Sequence, residues 1–526
     1  MEKKPTDKAA IKAAEKAENK ASENASGKPK ENAPNKTLEK LDRQIDEAIA
    51  KIRPKNDNAK WLVLAASALL LIGIFAGLLG TELSALQKFA SCAIVLCLGG
   101  EWMRRLMQWD GQLGLIMFRD RSMLVWIDRQ ATRFAPVWRM IADIGIVFGY
   151  GLSSYFVMGK EGRKDKGRVA ALLLTCIPGL LIFSLIIAPL AIGFIISMVQ
   201  HTDIGTASAQ IKESIPGQEV VGKVPIGGGM LTLTYASIAF ISLLVVFGLA
   251  GVTTVSIIAY GGIILQKIGL ALFGLADLSK TAPGGAPLLP GVNLPLVQGV
   301  IAMAVLLVVH ELMHAFLSRI YKVRLDSAGI VFFGILPFGA FVDPDEKELN
   351  KLSDTPHNRI LGAGSAANIV TAIISLFLLL GMFWATADMR KDGLVVTSGP
   401  LPVGSVISNI VWKGALGADV STSEGNFYLP ANSEGKLGIF MDATSRWNLF
   451  GQKYHSQFFW MEYVMQTLAL VFSLNVLVGI VNMLPIPLFD GHHIAKKVLG
   501  EGLVLKALTW ATAGAFVLNF IPWLFR

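Results

Sequence analysis

The stretch Leu294 to Arg319 reads LPLVQGVIAMAVLLVVHELMHAFLSR. From Val300 to Val309 it carries no charge; His310, Glu311 and His314 then arrive together, and Lys322 and Arg324 follow just past its end. An apolar run of about 20 residues is long enough to cross a bilayer as an α-helix. Ionisable groups near one end of such a helix cost free energy, so they mark function by default. Residues i and i+4 lie on one helical face, which lets His310 and His314 aim both imidazoles at one metal ion. Glu311 sits one position on, within reach of a water at that metal and of its proton. The bland alternative is a polar face on a soluble helix. At membrane depth it would leave three polar groups without a task, so the metal-site reading is preferred.

Composition places this helix among others. Of 526 residues 53% are hydrophobic and only 17% charged, which points to an α-helical polytopic membrane protein rather than a string of soluble domains. The formal charge of +9 is concentrated in an N-terminal tail and in short loops, as on the cytosolic face of a membrane protein. No basic face with interleaved aromatics is visible, so no nucleic-acid partner is expected. Cys92, Cys97 and Cys176 are the only cysteines and lack CxxC spacing, which argues against a disulfide framework or a cysteine zinc site.

Five regions are expected: a disordered basic cytosolic tail (1–60), an N-terminal multi-span membrane region (61–290), two parts of the membrane core that carries the site (291–392 and 456–526), and between them an extracytosolic soluble insert (393–455). The tail lacks the basic-then-apolar pattern of a secretory signal, and Leu38 to Ile52 has the spacing of a short amphipathic helix. Trp61 to Gly80 is a first span and Leu83 to Leu98 a shorter second one. Glu101 to Arg133, rich in Trp, Met and Arg, reads as an amphipathic helix lying on the membrane surface. Pro136 to Met158 is apolar but interrupted by Arg139 and Asp143; it either spans with a polar site or enters only part way. The basic loop Lys160 to Arg168 is expected in the cytosol. Val169 to Val199 spans outward, the polar loop His201 to Gly229 lies outside, and Met230 to Gly251 returns. Val252 to Leu275 crosses or lies along the interface. Thr281 to Asn293 is punctuated by Pro and Gly throughout and excludes regular helix.

Past the first motif, Ala328 to Val342 (AGIVFFGILPFGAFV) mixes β-branched and aromatic residues with Gly and Pro, which predicts one or two strands or a re-entrant hairpin. Such backbone must be covered by protein or line a cavity. Asn358 to Ala387 and Gln457 to Met483 are further spans, and a last one follows. Asn368 lies in a run of small residues that lets helices approach closely.

The other unusual run is Asn482 to Gly491, NMLPIPLFDG. Two prolines stop the preceding helix. Asp490 then sits on irregular backbone near membrane depth and needs a partner. Two histidines on a facing helix need a third ligand to make a zinc site with one open position, and Asp490 is the simplest choice. His492 or His493 is the competing ligand.

Together these motifs resemble the site-2 protease family of intramembrane zinc metalloproteases, especially its prokaryotic members. HELMH at His310 to His314 and NMLPIPLFDG carry the resemblance, supported by GILPFGAFVDPDE (Gly334 to Glu346) and GSAAN ending at Asn368; Phe489 replaces the usual Leu. It covers roughly residues 290–500. The resemblance implies a multi-span helical bundle with a small membrane-associated β element, Zn²⁺ held by His310, His314 and Asp490, and Glu311 as general base. Its substrates would be transmembrane proteins cut within or near their spans. Asn482 would bind substrate backbone, stabilise the oxyanion or cap its helix. The segment around Gly334, Phe338 and Gly339 would pair with the unwound substrate. The enzyme would lie in the cell membrane with its site near the cytosolic side. Rival readings are a membrane ion or metal transporter, and an inactive homologue that only binds substrates.

Overall fold

The structure, a computed structural model, describes residues 45–47, 49–50, 56–83, 85–119, 121–192, 226–285, 287–391, 393–433, 435–442 and 453–525. Most of the N-terminal tail, much of the Leu38 to Ile52 segment, and the expected outer loop up to residue 225 lie outside them. Among the described residues eight helices are long and apolar enough to cross a membrane, and the protein is a helical polytopic membrane protein with β strands in sheets.

Helix α1 (Asp57–Leu79) starts at Asn56, whose side chain accepts from the Asn58 amide. Its Leu62, Leu69 and Leu70 are exposed, as on a lipid-facing helix. Helix α2 (Ala85–Met107) is longer than expected and is not among the eight, since it carries Lys88, Glu101, Arg104 and Arg105. The surface helix expected over Glu101 to Arg133 is only partly found. The chain instead forms a hairpin, β1 (Asp110–Gln112) and β2 (Leu115–Arg119), and then the amphipathic α3 (Arg121–Arg133). Leu113 and Gly114 both take positive φ, 52° and 79°, between the paired residues Gln112 and Leu115, which is the two-residue turn that matches strand twist. Glu101 ties the end of α2 to this hairpin: it bonds Arg104 and Arg105 and accepts from the Gly114 amide. Those guanidiniums, Arg104 first, hold the Glu101 carboxyl down at about 2.

Helix α4 (Ala135–Tyr150) has Pro136 in its first turn, where no amide is needed, and with the short turns that follow it is a candidate span. Helix α5 (Lys166–Ile182) runs on through a wider turn at Phe183–Ile187. The two segments expected at Met230 to Gly251 and Val252 to Leu275 together form α6 (Ile226–Leu272), two helical stretches that meet at a non-helical bend at Gly248 (φ 63°), close to the expected boundary.

Helix α7 (Leu296–Ile320) carries the HELMH motif. Strands β3 (Leu325–Phe333) and β4 (Leu336–Pro344) form the expected hairpin. β3 also pairs with β2, Leu115 opposite Phe333 and Arg119 opposite Gly329, so the four strands order as β1-β2-β3-β4. A short α8 (Glu346–Lys351) leads to α9 (Asp354–Ala385). The insert holds a five-stranded antiparallel sheet over β6 (Leu394–Ser398), β7 (Val406–Trp412), β8 (Gly417–Thr422), β9 (Gly425–Pro430) and β10 (Phe440–Asp442). It is flanked by the ribbon of β5 (Arg390–Lys391) and β11 (Lys453–Tyr454). Helix α10 (Phe459–Val481) returns, Pro485 and Pro487 prevent its continuation, and α11 (Asp490–Leu499) and α12 (Leu503–Phe520) close the chain. The largest buried cluster joins α4, α5, α7, α9 and α10 around Phe148, Phe183, Leu306, Leu379 and Phe472.

Candidate active site

Three side chains from two motifs that lie 172 residues apart converge. One ligand-type atom from each of His310, His314 and Asp490 lies within 4.8 Å of the other two. His310 Nε2 is 3.1 Å from His314 Nε2, and Asp490 Oδ2 is 3.5 and 3.2 Å from those nitrogens. The histidines come together because four residues advance a helix by just over one turn. Asp490 is brought in by the break after α10. There the Gly491 amide donates to the Asn482 carbonyl at 2.9 Å, and a Cβ at Gly491 would collide with the Met483 carbonyl. Asp490 occupies the first turn of α11, where the helix dipole favours a carboxylate.

The surroundings turn both imidazoles the same way. His314 Nδ1 lies 2.7 Å from the Ile360 carbonyl, to which only an Nδ1–H can donate, so Nε2 is left bare. Asn368 Nδ2 stands 3.1 Å from His310 Nδ1, while Asn368 Oδ1 is buried without a partner. With the amide turned over, Oδ1 accepts the Nδ1 proton, gains the partner it lacks, and frees the His310 Nε2 in the same sense. Gly364, also on α9, faces the pair: a Cβ there would stand 2.5 Å from Nε2 of either histidine. The space at the two bare nitrogens is therefore kept open by a missing side chain. Two imidazole nitrogens, one carboxylate oxygen and an unfilled place beside them are a donor set that fits zinc with an open position.

Glu311 is half-buried and close enough to act electrostatically on His314. Asn482 Nδ2 stands 2.6 Å from Asp490 Oδ2 and 3.1 Å from His310 Nε2, so its amide belongs to the group itself. Gly339 on β4 lies against Leu307, one turn before the HELMH motif; a Cβ there would crowd the leucine at 2.5 Å. Gly334 is elsewhere, in the β3–β4 turn with φ 59° against the Leu96 backbone of α2. Phe338 is on β4, and its side chain lies outside the described residues. His492 faces Thr509 at 3.3 Å, and neither it nor His493 is in the ligand group.

Spacing exposed the histidines and Asp490 but not the neighbours that orient them. Asn368 stood out as an amide among small residues, and its task became visible only against His310. A buried ion pair also lies next to the site: Arg359 of α9 grips Asp143 of α4 at 2.6 and 2.8 Å and reaches the Tyr321 hydroxyl at 2.9 Å. Asp143 was one of the two charges, with Arg139, that interrupted its apolar stretch.

Fold and site together define a polytopic membrane protein with a metallohydrolase-type donor group set into its helices. Residues 298–519 match the model of peptidase family M50, the site-2 protease family that the motifs resemble. The chain is also similar to an uncharacterized protein of Methanocaldococcus jannaschii, 25% identical over 238 residues that make up 41% of this chain and 61% of that protein. The chain thus spans about three fifths of the length of this relative. No solved structure matches it significantly.

Proposed function

We propose that the protein is an intramembrane zinc metalloprotease that hydrolyses peptide bonds within or near the transmembrane helices of other proteins. The observation that carries this reading is the convergence of His310 Nε2, His314 Nε2 and one Asp490 oxygen within 4.8 Å of one another, with Glu311 near enough to act electrostatically on His314. Zinc held by those three residues supplies a Lewis acid that acidifies water and polarises a carbonyl. Glu311 takes a proton from the attacking water as its oxygen bonds the scissile carbonyl carbon. It delivers that proton to the amine nitrogen as the C–N bond breaks. Asn368 and the Ile360 carbonyl hold the two imidazoles in the tautomer this requires. The amide of Asn482 keeps Asp490 in place.

A substrate helix hides its own peptide bonds and must unwind before it is cut. Among the described residues β4 is the last strand of its sheet, and Gly339 lets it lie directly on α7, so its outer edge offers backbone partners to an unwound segment beside the site. Basic groups support a cytosolic placement of this end. The Gly162 amide of the loop Lys160 to Arg168 donates to Thr355 at the start of α9, Lys497 donates to the Leu352 carbonyl, and Lys322 and Arg324 follow α7.

The test is cleavage of single-span model substrates in liposomes by wild type and Glu311→Gln, with zinc measured in both. Wild type is expected to cut. The variant should keep zinc and lose at least about 100-fold in rate. Zinc bound by both and cleavage by neither, over a panel of substrates, would overturn the reading and make ion flux the next assay.

A further inference from the structure

Tyr150 ends α4, and its hydroxyl is buried with no hydrogen-bond partner among the described residues. A phenol taken out of water and given no partner is destabilising, and phenylalanine would fill the same space without that penalty. The turn that carries this ring is held from two sides. At Gly149, a Cβ would stand 2.8 Å from the Met483 sulfur, next to Asn482. At Gly151 (φ 55°), a Cβ would meet the amide of Gly248, the bend of α6 (φ 63°), and a Cβ at Gly248 would meet the Gly151 amide in return. Only glycine combines a left-handed φ with so close an approach of two backbones. The turn that carries Tyr150 is thereby fixed between the bend of α6 and the α10–α11 connection, and its ring packs against the main buried cluster. Tyr150 lies within electrostatic reach of the Asp490 carboxylate yet makes no hydrogen bond to it.

On the protease reading above, we propose that Tyr150 is a further substrate-contacting residue of this site. Its Oη–H donates a hydrogen bond to the oxygen of the scissile carbonyl as that oxygen gains negative charge under attack by water. The phenol proton stays on Tyr150 throughout, and proton transfer remains with Glu311. A fixed donor in a water-poor setting stabilises the developing charge more than it stabilises the resting carbonyl, so it acts on rate rather than on binding. The unpartnered hydroxyl is then stability given up for activity.

The experiment uses the full-length zinc-loaded protein in liposomes. Its probes are a model single-span peptide that wild type cleaves and a phosphinic analogue with a tetrahedral anionic group at the scissile position. Tyr150→Phe is expected to lower kcat about 100-fold. KM and zinc content should stay at wild-type values, and Tm should be equal or higher. Affinity for the phosphinic analogue should fall by a similar factor. The uncut peptide, measured in a Glu311→Gln background, should bind Tyr150→Phe and Tyr150 proteins alike. Tyr150→Leu, which also removes the ring, should lower Tm and so separates lost packing from the lost hydroxyl. Unchanged kcat in Tyr150→Phe overturns the assignment, and so does loss of zinc, which would make Tyr150 a support of Asp490. Wild type and Glu311→Gln that are equally inactive would sink the protease reading and this proposal together. An active wild type with an equally active Tyr150→Phe sinks the proposal alone.

Discussion

Gly364 shows how much of this site depends on a side chain that is not there. It lies on α9, 50 residues after His314 in sequence by its numbering, and its bare α-carbon faces both Nε2 atoms. Gly364→Ala adds one methyl group at 2.5 Å from each nitrogen, closer than any van der Waals contact permits. The helix itself tolerates alanine better than glycine, by about 1 kcal/mol. The expected outcome is a protein that folds with wild-type Tm or better but is purified with a small fraction of the wild-type zinc and has lost cleavage in proportion. Metal analysis of the purified protein decides it: full zinc in Gly364→Ala would mean that the two Nε2 atoms are not the ligand atoms. His310, Glu311, His314 and Asp490 were legible because their spacing or their cost at membrane depth stands out in one dimension. Gly364, Tyr150 and the task of Asn368 were not, because such a residue takes its meaning only from what it faces.

Among the elements, the strands were harder to read than the helices. The β3–β4 hairpin was legible from Gly and Pro among β-branched and aromatic residues. The β1–β2 hairpin was read as surface helix. Its Trp, Met and Arg content suits an interfacial helix, and Leu113 occupies a positive-φ turn position where Asn or Gly is usual. This error matters for function, because β2 covers one edge of β3 and leaves β4, among the described residues, as the strand with an outer edge beside α7. Successive backbone N–H groups of a strand point to opposite sides. A proline scan across Gly339 to Val342 should therefore alternate. Where the N–H faces the outer edge, proline keeps fold and zinc but raises KM about tenfold or more; where it faces β3, proline lowers stability. A scan in which every zinc-bound variant cuts with wild-type KM would remove β4 as the substrate edge.

At the scale of the whole molecule, the N-terminal half is packed into the core. Arg359 of α9 and Asp143 of α4 form a buried pair that also holds Tyr321 at the end of α7. Arg319 near the end of α7 bonds Asp128 of α3, one arm at 2.9 Å. Breaking a buried ion pair from one side leaves an uncompensated charge and costs about 3–5 kcal/mol, whereas replacing both partners with apolar residues costs far less. Asp143→Leu and Arg359→Met alone should each lower stability by about that amount, and the double variant should recover most of it. Denaturation in detergent reads this directly. Single variants that stay within about 1 kcal/mol of wild type would show that the pair does not fasten α4 to α9.

The sequence by itself determined the class of the protein, most of its spans and the residues that can bind a metal. Those follow from local properties: the length of an apolar run, the period of a helix, and the free energy of placing His, Glu and Asp where water is scarce. Tertiary structure alone decided that β2 joins β3, and that Gly364 leaves the imidazoles open while Asn368 and the Ile360 carbonyl stand against them. It also decided that the turn carrying Tyr150 packs against the α10–α11 connection and that Asp143 pairs with Arg359 on α9. Close packing sets these contacts between segments from 46 to more than 200 residues apart, and no spacing along the chain encodes such a meeting.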